Sequence, residues 1–180
     1  MAIFNRLPNL KQIAPVYAVC VIVIYSWTTL WLFWKLPSWL FYMNAGEIAL
    51  VYAYLLVTNF LESLLAVCIP IALGFILPPK WFRDSFVSRG TSLVLLGLGY
   101  FMFLAYQFQA KEDYPSVLLK LWSVALALGL IAFLVFIIGK VPSLNKVLEF
   151  IAEQATILLY IYIPLSLVSL LIVLPRLLLG

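Results

Sequence analysis

Histidine is absent from the 180 residues. That excludes, within this chain, bis-histidine haem, carboxylate–histidine di-iron centres, HExxH zinc sites and Ser-His-Asp catalysis. Cysteine is nearly absent. Cys20 and Cys68 lie in separate apolar runs without CxxC spacing, so they read as two buried thiols acting as small hydrophobes. A disulfide between them requires their helices to meet, and the count identifies no redox compartment.

Charge is also scarce. Only 10% of residues are charged and 66% are hydrophobic, against about 25% and about 45–50% in a soluble domain. Too few polar residues are present to clothe a water-facing surface. The formal net charge of +4 sits between apolar blocks, where cations set orientation and meet anionic lipid head groups. With no basic tract and no basic–aromatic alternation on a soluble face, nucleic acid is not an expected partner. No cofactor-binding or metal-binding pattern is present.

What is there is a series of apolar runs near or above the roughly 20 residues that cross a bilayer as a helix. They predict an all-α, polytopic integral membrane protein, a single transmembrane domain over residues 1–180. Five spans are expected, at about 16–34, 47–77, 91–108, 117–139 and 154–174. The first ends in WLFWKLPSW and not in a small-residue cleavage site, so it reads as a retained helix and not as a signal peptide. Trp27, Trp31 and Trp34 recur near one face and suit the head-group boundary. Trp39, Phe41 and Tyr42 are expected in the interface. The second span is long for a bilayer, and Pro70 is its expected kink. Gly97 and Gly99 in the third span, and the Ala125/Gly129 pair in the fourth, suggest close helix approach. Asn145 is the expected N-cap of the last helix.

Five spans place the chain ends on opposite sides. Arg6, Lys11, Lys80, Arg83, Arg89, Lys140 and Lys146 fall on one side, and Lys35, Lys111, Lys120 and Arg176 on the other. The positive-inside rule makes the N-terminus cytoplasmic and the C-terminus external, in the cell membrane. In LPPKWFRDSFVSRG, Lys80, Arg83 and Arg89 alternate with Trp81, Phe82 and Phe86. This is a candidate contact with anionic lipid or phosphate, as a short amphipathic surface helix or as an ordinary topogenic loop.

One feature contradicts the apolar pattern. Glu62 lies midway along the second span, with Asn59, Ser63 and Thr58 around it at helical spacing. An ionised carboxylate in hydrocarbon is penalised by several kcal/mol, so Glu62 is expected to face protein or water, and desolvation favours its neutral form. Two roles stay open. Glu62 is structural glue, bonded to a polar group such as those of Thr156, Tyr160, Tyr162, Ser166 or Ser169, or it binds a proton, a cation or a polar substrate group.

For function the sequence points first to a non-enzymatic multi-pass protein, a subunit or scaffold of a larger membrane assembly with a protein partner or further copies of itself. The second reading is a proton- or cation-coupled transport or channel module using Glu62. The third is an interfacial lipid-modifying enzyme around Arg83, Asp84 and Arg89, which lacks a visible nucleophile–base pair.

Overall fold

The computed structural model describes residues 8–109 and 121–179, and among these it consists of five α-helices and two short 3₁₀ turns, with no strand. Arg6, the expected turn around Lys111, Glu112 and Asp113, and Lys120 lie outside the described residues. The helices are α1 (Leu10–Trp39), α2 (Ala45–Ile76), α3 (Phe86–Gln109), α4 (Leu121–Ile138) and α5 (Pro142–Leu179). Four of them, α1, α2, α3 and α5, are long and apolar enough to cross a membrane. The 18 described residues of α4 are apolar but reach only about 27 Å at about 1.5 Å per residue.

Helices are the natural solution for such a chain, because hydrocarbon offers no partner for an unbonded peptide group. They also run past the apolar stretches. α1 starts six residues before the expected boundary and continues through Pro15 and Pro37. Each proline removes one intrahelical donor, a loss that membrane helices tolerate. α2 opens on a reciprocal cap, in which Glu47 N–H donates to Asn44 Oδ1 (2.9 Å) and Asn44 N–H donates to Glu47 Oε2 (2.8 Å).

Two expected boundaries are corrected. α5 begins at Pro142, so Asn145 is inside the helix and is not its N-cap. Proline suits a first helical turn because its fixed φ is preorganised and its missing N–H is not needed there. The Asn145 side chain instead ties helices together: its Oδ1 accepts from Ser88 Oγ at 2.6 Å and its Nδ2 donates to the Gly139 carbonyl at 3.2 Å. The stretch after α2 forms no continuous amphipathic helix. It makes two 3₁₀ turns, Pro79–Trp81 and Arg83–Ser85, and Phe82 and Phe86 turn into the bundle.

α1 is the central element, packed on α2, α3 and α5, while α4 leans on α3. Its buried residues are concentrated from Pro15 to Tyr25; beyond that Leu32 is buried too, while Phe33 and Trp34 turn outward. The larger buried cluster joins Val16, Val19 and Cys20 to Val67, Phe86 and Ala152, and a second, further along α1, joins Val21, Ile24 and Tyr25 to Leu56. α5 buries Ala152, Ala155, Ser166, Ser169 and Val173, all on one face. In lipid this packing is held by van der Waals fit and polar contacts, since exclusion of water supplies little.

Close approach of neighbouring elements occurs at Gly74, Gly90 and, against Arg89, Gly139. A Cβ added at Gly90 would lie 3.1 Å from Val16 Cγ2, and one at Gly74 would lie 3.2 Å from Phe86 Cε2. Gly97, Gly99 and Gly129, the glycines singled out by spacing, have nothing within 4 Å of such a Cβ. Cys20 is buried but Cys68 is exposed, and neither is in a disulfide, so the reading of two buried thiols holds for Cys20 alone.

Candidate intramembrane binding site

The site is built on α2. Its buried seam passes from Ala53 through Leu56, Asn59, Ser63 and Val67 to Gly74. Thr58 and Glu62 each stand one residue before a seam position, about 100° round the helix, and both are exposed. The single polar stripe expected from spacing is therefore divided: Asn59 and Ser63 are buried, and Thr58 and Glu62 lie on the exposed flank beside them.

The inward pair makes contacts between helices. Ser63 Oγ donates to the Phe60 carbonyl at 2.9 Å and lies 3.3 Å from the Tyr17 phenol of α1. Thr28 Oγ1 lies 2.8 Å from Asn59 Oδ1 and 2.8 Å from the Ile24 carbonyl. A hydroxyl has one proton and cannot donate to both. Both contacts are satisfied together when the Asn59 amide is turned over, so that its NH₂ donates to Thr28 Oγ1 and its carbonyl oxygen is left as an acceptor.

The polar groups of α5 go elsewhere. Ser166 Oγ lies 2.6 Å from the Tyr25 phenol, Ser169 donates to the Leu165 carbonyl and Thr156 to the Glu153 carbonyl. None of them bonds to Glu62, and no described residue gives the Glu62 carboxylate a hydrogen bond or an ion pair.

Glu62 instead lines a cleft of about 620 Å³ between α1, α2 and α3, open along one side. α1 contributes Thr28 and the half-buried Trp27 and Trp31, whose rings meet edge-on at 5.9 Å. Trp31 also stacks on Trp34 at 5.0 Å, so the three tryptophans form the ladder their spacing suggests. α3 contributes Leu98, Phe101, Met102 and Ala105. The cleft lies between α3 and the α1–α2 pair, beside the buried Ile24 and Asn59. Chemically it is an apolar, aromatic recess with one carboxylate and a few hydroxyl and amide groups.

The three candidate lipid-contact cations fall on three different elements. Lys80 and Arg83 lie in the two 3₁₀ turns, Arg83 half-buried. Arg89 lies in the first turns of α3 and is only 6% exposed. Its side chain passes against the turn between α4 and α5, where a Cβ on Gly139 would fall 2.8 Å from Arg89 Cζ.

Comparison of the chain with protein-family models, with curated proteins and with solved structures finds no match. Sequence reasoning located Glu62, Asn59, Ser63 and Thr58 but missed Thr28, Tyr25 and the α3 wall. Threonine and tyrosine are common enough in apolar helices that a pairing across 31 or 141 positions leaves no local signal.

Proposed function

We propose that the protein is a non-enzymatic multi-pass membrane protein, crossing the cell membrane five times with a cytoplasmic N-terminus, that acts as a subunit of a larger membrane assembly. Its contribution is an intramembrane site at Glu62 that accepts a proton or a cation. The observation that carries this is the isolation of Glu62. The carboxylate is exposed midway along α2 and has no bonded partner among the described residues, while Asn59 and Ser63 beside it make the interhelical contacts. A glue role for Glu62 needs a partner that α5 does not supply. An acid in a span without a packing role is a functional candidate, because its cost must be offset elsewhere.

The assembly part of the reading rests on the closed core beside the cleft. Val16, Ala18 and Cys20 are fully buried there, so one copy offers a site open on one side and no path across the membrane. A second copy or a partner would complete such a path. Lys80 and Arg83 are proposed to meet anionic head groups on the cytoplasmic side, and Pro70 to bend α2.

Proton flux into liposomes holding the assembled protein, with its second copy or companion, and with and without Glu62→Gln, tests the site. Flux that is indifferent to the substitution removes Glu62 from the mechanism. Copurification from native membrane in mild detergent tests the subunit role, for which a stoichiometric companion is expected.

A further inference from the structure

We propose that the cleft between α1, α2 and α3 binds a compact lipophilic monovalent cation, a quaternary or protonated onium group on an apolar body. The inference rests on the Glu62 reading above and names the class of ligand.

Charge decides the sign. Among the described residues, Glu62 is the only charged one lining the cleft. An anion is repelled by a carboxylate there, and a neutral apolar molecule gains nothing from it, whereas a cation pairs with it where an unpaired charge costs several kcal/mol.

Donor chemistry decides against a small hard ion. Calcium takes six to eight oxygens, and magnesium demands an octahedral set. The cleft offers Glu62, Asn59 and the hydroxyls of Thr28 and Thr58, and the Thr58 proton is given to the Tyr54 carbonyl at 3.1 Å. No group of three or more metal-ligating side chains occurs among the described residues. An organic onium ion needs no such shell, because its charge is spread and its hydration is weak.

The walls supply what such an ion needs. Trp27, Trp31 and Phe101 present aromatic rings around the recess. A cation within about 6 Å of a ring centroid is attracted by its quadrupole, most strongly by tryptophan. Leu55, Leu65 and Met102 offer apolar contact to the ligand body.

Size decides against a transmembrane segment of another protein. The cleft spans Ile24 to Trp31 on α1 and Leu98 to Ala105 on α3, about 10 Å each at about 1.5 Å per residue. On α2 it spans Leu55 to Ala66, about 16 Å. A partner helix would lie along roughly 30 Å of hydrocarbon. The volume of about 620 Å³ falls within the range of small-molecule pockets, about 300–1,000 Å³.

The test uses tetraphenylphosphonium and tetraphenylborate, a cation and an anion of nearly the same shape, with the full-length protein in lipid nanodiscs. Saturable phosphonium binding is expected by equilibrium dialysis, with a change in tryptophan fluorescence, and no saturable borate binding. Glu62→Gln should weaken phosphonium binding at least tenfold, and Trp31→Leu several-fold, with unchanged helical circular dichroism in both. Equal binding of both ions, binding indifferent to Glu62→Gln, or no saturable binding up to millimolar phosphonium overturns the proposal. Loss of a copurifying protein in Glu62→Gln, with no phosphonium binding to wild type, would mean a protein occupant and also overturns it. Absent phosphonium binding alongside Glu62-dependent proton flux sinks the ligand class alone. If Glu62→Gln changes neither, the site reading fails as well.

Discussion

The Tyr25 phenol lies 2.6 Å from the Ser166 hydroxyl, joining α1 to α5 across 141 positions, and the Tyr25 and Tyr162 rings lie 4.7 Å apart beside it. Ser166 Oγ also reaches the Tyr162 carbonyl at 2.8 Å and the Tyr25 phenol reaches the Leu56 carbonyl at 3.4 Å, so whichever hydroxyl donates, the other has a carbonyl for its own proton. Tyr25→Phe keeps the ring and removes the bond between them. A loss of about 0.6 kcal/mol, and at most about 1.7, is expected. Unfolding in mixed detergent micelles, with Ser166→Ala as the second arm of a double-mutant cycle, measures it. Additive losses would show that the two hydroxyls are not coupled.

The two faces of α2 should answer differently to substitution. Ser63 is fully buried, so Ser63→Leu forces extra methylenes into the packed bundle at a cost of about 1–3 kcal/mol. Glu62→Gln removes no contact and should leave stability within about 0.5 kcal/mol. The same unfolding assay checks both. A large loss in Glu62→Gln would restore the glue reading.

Glycine sensitivity should follow contact. In Gly90→Ala the new methyl meets Val16, a fully buried and β-branched residue that cannot easily turn aside. A loss of about 1–3 kcal/mol is expected. Gly97→Ala meets nothing and should be neutral or stabilising, by up to about 1 kcal/mol, because alanine is the better helix former. Thermal midpoints of the two variants in one detergent decide the matter.

The thiols provide a probe of the fold without mutation. Cys20 is 0% exposed and Cys68 is exposed on α2. Treatment of the folded protein with a detergent-soluble maleimide should modify Cys68 and spare Cys20, with both modified after denaturation, as read by mass spectrometry. Early labelling of Cys20 would contradict the position of α1 at the bundle centre.

Much of the architecture was legible because lipid imposes a simple rule: an apolar run long enough to cross becomes a helix. Helix ends were less legible. Pro15 and Pro37 look like stops by water-based reasoning, yet α1 passes through both. The Asn44–Glu47 pair carried a readable start signal, and the chosen boundary of 47 passed over it. The site was legible in part. Glu62 stands out in any apolar run, but its orientation depends on which face of α2 is packed. In a helix apolar all round, periodicity cannot reveal that. Arg89 shows the same limit: as one cation of a basic stretch it reads as solvated, and only the fold brings it against Gly139.

α3 is clamped to α1 at Gly90 and lies across the cleft from α1 and α2 beyond it, so it stands as one arm of a pair of tongs. Ala105 stands fifteen residues beyond the Gly90–Val16 contact, a lever arm of about 22 Å along α3. A tilt of about 5° at the clamped end moves its tip by about 2 Å, from the same helical rise. The breadth of the recess is thus governed from a fulcrum far from the carboxylate, and a methyl group added at that fulcrum would be felt at the jaws.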